Sequence, residues 1–478
     1  MKIITRLLFL CCIAFLTMQC GNPEQRKPQT TETLINKAAA DTPVKTPVQQ
    51  SEPAVETKTV ETSDKISQQK ASDEFSIFIP ASGNQNNKLP VILFFDPHAS
   101  GKLPVEMYKA LAEEFGFILV GSNRSHNGQT INEAFEIFEK MKKEALLKYP
   151  VDASRIFVAG FSGGSRVVTA IGFKYPEIKS VIACGAGMGA VQKLPEPTFD
   201  YFGMIGNEDF NLNEMISTDR MLKRAGFNNA MVIFDGGHLW PPAEVMREAF
   251  WWLDLNAMNK KTLQTDQKII GNALAWYKKE VNRLKIAGKF FDANLVAERA
   301  VKILKGLTDV AFFENEIQNL RTNPGYQKQL SEMVTTLQKE MGMQNSYINS
   351  MAEKDTTWWK TEIKHLQDSM VPKNDRQMNK RLLSYLGLIS YMFSDRAVNE
   401  QNIEAAGKYL EIYRLLEPTN SEHFFLEAKR RMLMKDPVNA IAYLKLATIF
   451  GFSDYNRIIN DPLFEPLKTN PDFKSLFR

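Results

Sequence analysis

The stretch Arg155-Ile-Phe-Val-Ala-Gly-Phe-Ser-Gly-Gly-Ser-Arg166 decides the fold of this chain. Its apolar, β-branched first half predicts a buried strand, and the residues after Ser162 begin a helical pattern. Ser162 lies in a G-x-S-x-G pattern between Gly160 and Gly164. A sharp turn from strand to helix leaves no room for side chains two residues on either side of its centre. Such a turn would expose the Ser162 hydroxyl at the carboxyl edge of a sheet.

The same turn predicts where a developing negative charge would be held. Gly163 would be the first residue of the helix, where backbone N–H groups have no acceptor within the helix. The partial positive charge at a helix N-terminus favours an oxyanion. The amide of Gly163 is therefore expected to be one oxyanion donor.

Around this stretch, short apolar runs alternate with helical patterns from residue 74 to about 257. The runs are rich in β-branched and aromatic residues, so the alternation predicts an α/β fold, a mostly parallel sheet covered by helices on both faces. The predicted strands are Phe75–Pro80, Pro90–Phe95, Phe117–Gly121, Arg155–Ala159, Ser180–Cys184, Tyr201–Ile205 and Ala230–Phe234, and the predicted helices are 105–115, 130–148, 165–174, 213–225 and 242–256.

A serine hydroxyl needs a general base at neutral pH, and histidine is the usual one. The five histidines of the chain are His98, His126, His238, His365 and His423. His238 follows the last predicted strand, in the loop Phe234-Asp-Gly-Gly-His-Leu-Trp-Pro-Pro242. This position between a strand and a helix that begins with proline predicts His238 as the base, with a capping or packing role as the alternative.

The acid that orients this base should lie between Ser162 and His238, after the penultimate strand. The segment Tyr201-Phe-Gly-Met-Ile-Gly-Asn-Glu-Asp209 supplies it there. Asp209 is the first choice. Glu208 is its neighbour and competitor, and Asp235 is a weaker alternative because it precedes His238 by only three residues.

The order Ser162, Asp209, His238, with a predicted strand before each, resembles that of the compact α/β-hydrolases. The likeness is to the dienelactone hydrolases and the polyhydroxybutyrate-depolymerase-like esterases, and it covers roughly residues 74–257. It implies an α/β-hydrolase fold and a serine hydrolase, a carboxylesterase with a Ser-His-Asp triad. The implied acyl-enzyme chemistry requires no metal or organic cofactor.

The resemblance also implies a second oxyanion donor in the loop Asp96-Pro-His-Ala-Ser-Gly101, which follows strand 90–95. Pro97 has no amide hydrogen. The backbone of His98 or Ala99 is therefore the expected donor. We see no long apolar insertion before His238 of the kind that covers lipase sites, so an open site is expected, with a small or carbohydrate-borne ester as substrate.

Residues 1–20 have the layout of a secretory signal: Lys2 and Arg6, then an apolar run from Leu7 to Met18, then Cys20. A cysteine directly after such a run resembles the cleavage and lipidation site of bacterial lipoproteins. This resemblance implies a protein anchored through Cys20 to a membrane of the bacterial cell envelope, periplasmic or surface-exposed. Residues 21–72 are polar and rich in Pro, Thr and Gln, so we expect a disordered tether there.

Composition excludes several functional classes. Of the four cysteines only Cys184 lies outside the N-terminal stretch, so a disulfide framework and a thiolate metal site are excluded, and Cys184 is expected to be a buried, inert strand residue. The 59 basic and 55 acidic residues leave a net charge of +4, and they are spread along the chain. Without a basic patch, nucleic acid is not an expected partner.

Beyond residue 257 strand signals end and helical spacing dominates, so residues 73–257 are assigned to the hydrolase domain. Residues 258–370 are predicted to be helical without a definable period. Residues 371–478 resemble tetratricopeptide repeats: Ala406, Tyr409 and Leu410 recur as Ala440, Tyr443 and Leu444, a shift of 34 residues. An unrelated helical bundle is the alternative.

Helical repeats of this kind present concave surfaces that bind peptides or proteins. This gives a competing hypothesis for the whole chain: a non-catalytic lipoprotein scaffold that binds a partner protein or peptide through its helical part, with the hydrolase fold as an inactive platform.

Overall fold

A computed structural model of the protein describes residues 68–71, 74–83, 87–189, 194–369 and 375–477. Within these ranges, one sheet contains eight strands in the order β1-β2-β4-β3-β5-β6-β7-β8. The strands are β1 Gln68–Ala71, β2 Phe75–Ile79, β3 Leu89–Phe95, β4 Ile118–Ser122, β5 Val151–Phe161, β6 Ile178–Cys184, β7 Asp200–Gly206 and β8 Asn229–Phe234.

The six strands from β4 across to β8 are parallel, and β1 and β2 extend one edge in antiparallel pairing. All seven predicted strands are present, and the predicted mostly parallel sheet is confirmed. The tether expected over residues 21–72 is wrong for residues 68–71, because these residues form strand β1 and pair with β2. A short edge strand is held by backbone hydrogen bonds, which leave no hydrophobic pattern in the sequence.

Helices cover both faces of this sheet. Strand β3 directs Ile92 and Phe94 into one hydrophobic core and Val91, Leu93 and Phe95 into the other, as the period-2 geometry of a strand requires. The helices between the strands are α1 Lys102–Phe115, α2 Ile131–Lys148, α3 Gly163–Lys174, α4 Leu212–Arg224 and α5 Ala243–Asn259. The second core packs against α2, α3 and α4, and the first against α1 and α5.

The described residues after α5 are mainly helical, which confirms the predicted all-helical half. The helices are α6 Gln267–Ile286, α7 Phe290–Leu304, α8 Ala311–Thr322, α9 Pro324–Glu353, α10 Thr356–Asp368, α11 Arg376–Asn399, α12 Ile403–Leu416, α13 Ser421–Leu433, α14 Pro437–Ile449, α15 Tyr455–Asn460 and α16 Pro471–Lys474, with 3₁₀ turns at Pro462–Leu467 and Ser475–Phe477.

The compact units of the chain differ from the predicted domain boundaries at residues 257 and 370. One unit holds the described residues up to Ser394 together with Lys408–Glu417, and the other holds Asp395–Gly407 and the residues from Pro418 onward. The physical reason is a continuous core: Tyr277 of α6 and Leu304 of α7 belong to the same hydrophobic cluster as Trp252 of α5. Loss of strand signals at residue 257 therefore does not mark the end of the packed unit.

The smaller unit contains the helical hairpin of α13 and α14. Asp436 caps α14 through its carboxylate, and Pro437 starts that helix. Ala428 and Ala440 are fully buried, so both helices place small residues where they pack. The structure thus contains a helical pair in this segment, and its assignment to tetratricopeptide repeats stays a prediction.

The predicted signal segment 1–20, its lipidation site Cys20 and the predicted tether up to residue 67 lie outside the described residues. In the part of the chain that the structure describes, no helix combines the length and the apolar character needed to cross a membrane.

Candidate active site

Ser162 lies at the turn between β5 and α3. Its backbone has φ 54° and ψ −117°, a conformation that L-residues avoid at a cost of about 1–3 kcal/mol. The Ser162 N–H donates to the carbonyl of Cys184 at the end of the neighbouring strand β6, over 2.8 Å. This strained turn brings the hydroxyl to the carboxyl edge of the parallel strands.

Gly160 and Gly164 are required by close backbone contacts at this turn. A Cβ atom at Gly160 would lie 2.1 Å from the carbonyl oxygen of Gly164, and one at Gly164 would lie 1.9 Å from the carbonyl oxygen of Phe95. Both contacts are to backbone atoms, which cannot rotate away. The G-x-S-x-G pattern is thus explained by sterics within the sheet.

The structure brings the three predicted triad residues together from the ends of β5, β7 and β8. The Nε2 atom of His238 lies 2.9 Å from Ser162 Oγ, and its Nδ1 atom lies 2.8 Å from Asp209 Oδ2. Asp209 is only 1% exposed, whereas the side chain of His238 is 22% exposed. The other oxygen, Asp209 Oδ1, accepts the backbone N–H of Asn211 over 2.9 Å.

These contacts decide which nitrogen of His238 carries the proton. An ionised carboxylate can only accept hydrogen bonds, so Nδ1–H donates to Asp209. The neutral ring then has a lone pair on Nε2, directed at the Ser162 hydroxyl. The arrangement can therefore remove the hydroxyl proton from Ser162 and keep the resulting imidazolium beside a carboxylate.

Aromatic side chains fix the plane of the His238 ring. The ring centroids of Phe161 and Phe210 lie 4.7 Å and 4.5 Å from that of the imidazole. Trp240 packs on Phe161 and is buried, with its indole N–H donating to Asp96 over 2.8 Å. Trp240 therefore anchors the loop that carries His238.

Asp96 was not identified from the sequence, although it directly follows β3. Burial alone would raise the pKa of its carboxyl, but hydrogen bonds from His98 and Trp240 hold that pKa below its usual value. The ionised Asp96 thereby links the loop after β3 to the loop of His238.

The predicted oxyanion donors differ in how available they are. Gly163 is the first residue of α3, so its N–H has no acceptor within the helix. The N–H of His98 donates to Asp96 Oδ1 over 2.9 Å, and the N–H of Ala99 donates to the Ser125 carbonyl over 2.8 Å. Both predicted second donors are thus engaged inside their own loop, a correction that follows from the hydrogen-bonding capacity of Asp96 and Ser125.

Asn127 is a polar residue at this edge that the sequence reasoning missed. It lies in the loop after β4, and a Cβ atom at Gly163 would lie only 2.0 Å from Asn127 Oδ1. The side-chain amide of Asn127 is therefore next to Gly163, the first predicted oxyanion donor. Its neighbour His126 is exposed, and the Nδ1 atom of His126 lies 2.8 Å from the Asn127 carbonyl oxygen.

The loops that carry Asp209 and His238, the predicted acid and base, touch each other. A Cβ atom at Gly206 would lie 2.3 Å from the carbonyl oxygen of Gly236, and the N–H of Glu208 donates to that same oxygen over 2.8 Å. The two alternative acids have other partners: Glu208 forms an ion pair with Lys380, and Asp235 accepts a hydrogen bond from the side chain of Asn207.

A cleft of about 900 Å³ lies beside these loops and does not contain the reacting atoms. Helices α4, α5, α6, α7, α9 and α11 and strand β8 line it, and it meets the loops of Asp209 and His238 at Asn207 and Asp235. Neither Ser162 nor His238 lines this cleft. Cys184, as predicted, is buried at the end of β6, and burial raises the pKa of its thiol.

The sheet-bearing part of the chain is similar to solved serine hydrolases and esterases. An S-formylglutathione hydrolase from Staphylococcus aureus matches 39% of this chain over 95% of its own, with 13% identity and a TM-score of 0.33. A Klebsiella pneumoniae protein named as a dienelactone hydrolase matches 39% of this chain over 95% of its own, with 16% identity and a TM-score of 0.31. A Bacillus cereus carboxylesterase matches 38% of this chain over 93% of its own, with 16% identity and a TM-score of 0.31.

No protein-family model and no curated protein sequence matches the chain. The roles of individual residues therefore depend on the geometry of the site.

Proposed function

We propose that this protein is a serine hydrolase that cleaves carboxylic esters through an acyl-enzyme intermediate. Ser162 Oγ attacks the ester carbonyl while His238 Nε2 accepts the hydroxyl proton. The C–O bond to the alcohol breaks as the imidazolium returns that proton to the leaving oxygen. Water then attacks the acyl-enzyme and gives a proton to His238, which passes that proton to Ser162 Oγ as the acyl–oxygen bond breaks and the carboxylic acid leaves.

Asp209 and the Gly163 amide complete the proposed machinery. Asp209 holds Nδ1–H and stabilises the imidazolium that forms in each half-reaction. The Gly163 N–H, at the positive end of α3, would bind the negative charge on the carbonyl oxygen. No metal or organic cofactor takes part in these steps.

The observation that carries the proposal is the continuous hydrogen-bonded series from Asp209 through His238 to Ser162, with heavy-atom distances of 2.8 and 2.9 Å. These distances lie within the reach needed for proton transfer between a nucleophile and its base. The strained backbone of Ser162 adds support, because such strain concentrates at functional sites.

The surroundings of Ser162 favour small or carbohydrate-borne esters as substrates. Ser162 is half-buried and His238 is partly exposed, so the reacting atoms are reached from solvent. Leu239, next to the base, is also exposed. An ester with a short acyl chain can approach such a site without an extended apolar channel.

Labelling with a fluorophosphonate probe tests the proposed reaction. The probe should form an adduct on Ser162 of the full-length protein, identified by peptide mass spectrometry. Ser162→Ala should abolish labelling and lower turnover of a short-chain p-nitrophenyl ester by roughly 10³-fold or more. Ser217→Ala, which removes a hydroxyl from the exposed side of α4, should leave both unchanged.

An unlabelled wild-type protein, or a Ser162→Ala variant with full esterase activity, would contradict the proposal. A partner protein captured by an unlabelled chain would then support the non-catalytic scaffold.

We also propose that the enzyme is tethered to a bacterial membrane through a lipid on Cys20. The support is the apolar run from Leu7 to Met18, which ends two residues before this cysteine. In cells of a bacterium that processes lipoproteins, wild-type protein should partition into the detergent phase, and Cys20→Ala should move it to the aqueous phase. Equal partitioning of the two proteins would exclude this tether.

A further inference from the structure

We propose that helix α11 positions the catalytic acid, and that Arg381 and Lys380 are its positioning residues. This inference rests on the proposed function, because it identifies the residues that hold the Asp209 loop of the proposed active site. It gives the helical region after the sheet a part in the reaction, in addition to any partner it binds.

Arg381 contacts the acid loop directly. Its Nη1 atom donates to the backbone carbonyl of Asn207 over 2.6 Å, across 174 positions of sequence. Asn207 is two residues before Asp209. A hydrogen bond from a guanidinium to this carbonyl fixes the backbone from which the acid side chain extends.

Glu340 of α9 holds the Arg381 side chain in this orientation. Arg381 Nε lies 3.0 and 2.9 Å from the two Glu340 carboxylate oxygens, and Nη2 lies 2.6 Å from Oε2. The side chains are 4% and 0% exposed. Burying such a pair is costly and adds little net stability on average. The pair is therefore better explained by the precise placement of Nη1 than by its contribution to stability.

Asn207 transmits this placement to the base loop as well. Its Nδ2 atom donates to Asp235 Oδ1 over 2.8 Å, and its Oδ1 atom accepts the Gly236 N–H over 3.2 Å. Gly236 is two residues before His238. A shift of Asn207 would therefore move the supports of both Asp209 and His238.

Lys380 provides a second contact between α11 and the same loop. Its Nζ atom lies 2.8 Å from both carboxylate oxygens of Glu208, the residue directly before Asp209. This pair is more exposed than that of Arg381, with side chains 34% and 24% accessible. It is expected to contribute less, because solvent weakens a half-exposed ion pair.

Arg381→Lys tests the inference against a matched control, Arg299→Lys. Arg299 of α7 forms a similar buried pair with Glu248 of α5 and also donates to a backbone carbonyl, that of Met231 within β8. Each substitution keeps the charge but removes the planar fork. Only Arg381→Lys removes a contact to the Asp209 loop. Comparison with Arg299→Lys therefore corrects for any loss of stability that the two variants share.

The expected result for Arg381→Lys is a roughly 10-fold lower kcat for a short-chain p-nitrophenyl ester, with KM unchanged. A displaced Asp209 stabilises the imidazolium less. The acidic limb of the kcat/KM profile should therefore move to lower pH. Arg299→Lys should keep kcat within about twofold, with an unshifted profile.

Equal loss of kcat in both variants with unshifted profiles would show that the Arg381 pair is merely structural. Full activity of Arg381→Lys would overturn the inference as well. In both cases wild-type protein would still be labelled on Ser162, so these outcomes differ from failure of the proposed function.

A double-mutant cycle keeps the inference testable if Arg381→Lys does not fold. Lys380→Gln and Glu208→Gln alter side chains that are only partly buried, so folded variants are expected. Each should lower kcat about two- to threefold, and the double variant should lower it no further, as expected for coupled neighbours. Additive effects, or no effect, would exclude Lys380 as a positioning residue.

Discussion

The turn of Ser162 and the loop of Asp209 lie at the same edge of the sheet but are held in different ways. The serine turn is fixed by backbone contacts within the sheet, through Gly160 and Gly164. The acid loop depends on side chains from a helix more than 170 residues away, chiefly Arg381. A local steric requirement leaves a pattern in the sequence, whereas a distant charge contact leaves none. Substitutions at Asp209 and at Gly164 separate the two kinds of support.

The largest effect is expected from the acid itself. Asp209→Asn keeps the shape of the side chain but favours the wrong tautomer of His238, so kcat for a p-nitrophenyl ester should fall by about 10⁴-fold. Its matched control is Asp200→Asn at the opposite end of β7, where Asp200 pairs with Lys260. That variant should keep kcat within about threefold, because it lies away from the reacting atoms.

The same measurement decides between Asp209 and its competitor. Glu208→Gln should reduce kcat only a few-fold, since Glu208 acts through loop position. A larger loss in Glu208→Gln than in Asp209→Asn would reverse the assignment of the acid and remove the basis for the comparison.

These two kinds of support explain which parts of the fold and of the site could be predicted from the sequence. Seven of the eight strands and the five helices between them were predictable because each carries its own apolar period and stop signals. The hydrogen-bonded grouping of Ser162, Asp209 and His238 was predictable because each of them follows a strand in a characteristic order. All of these signals lie within a few residues of what they specify.

Most of the remaining features depend on contacts between distant segments. The Ser125 carbonyl that accepts the Ala99 N–H lies 26 positions away and leaves no local signal, whereas Asp96 is only two residues before His98 and could have been recognised as the acceptor in a turn. Arg381 lies in the repeat-like segment 371–478, and its partner, the Asn207 carbonyl, is 174 positions away, so this contact could not be predicted from the local sequence. The boundary at residue 257 was misplaced for the same reason, since the core shared by Trp252 and Tyr277 forms only on folding.

A smaller effect is expected from breaking the steric support of the serine turn. In Gly164→Ala the added Cβ would lie 1.9 Å from the Phe95 carbonyl oxygen, so the turn or β3 must shift. We expect a loss of about 3 kcal/mol in the free energy of unfolding, measured by urea denaturation. Fluorophosphonate labelling should fall with it, because the Ser162 hydroxyl moves away from His238.

Gly271→Ala is the control for this substitution, since a Cβ atom there meets nothing within 4 Å and the residue is the fifth of the 20 residues of α6. Alanine is the better helix former, so the free energy of unfolding of this variant should rise by roughly 0.5–1 kcal/mol. Fluorophosphonate labelling of Ser162 should be unchanged. Because Gly164 also lies in a helix, alanine should help there too if sterics did not oppose it. A Gly164→Ala variant as stable as Gly271→Ala would therefore show that the serine turn is not held by this contact, and the contrast with the acid loop would fail.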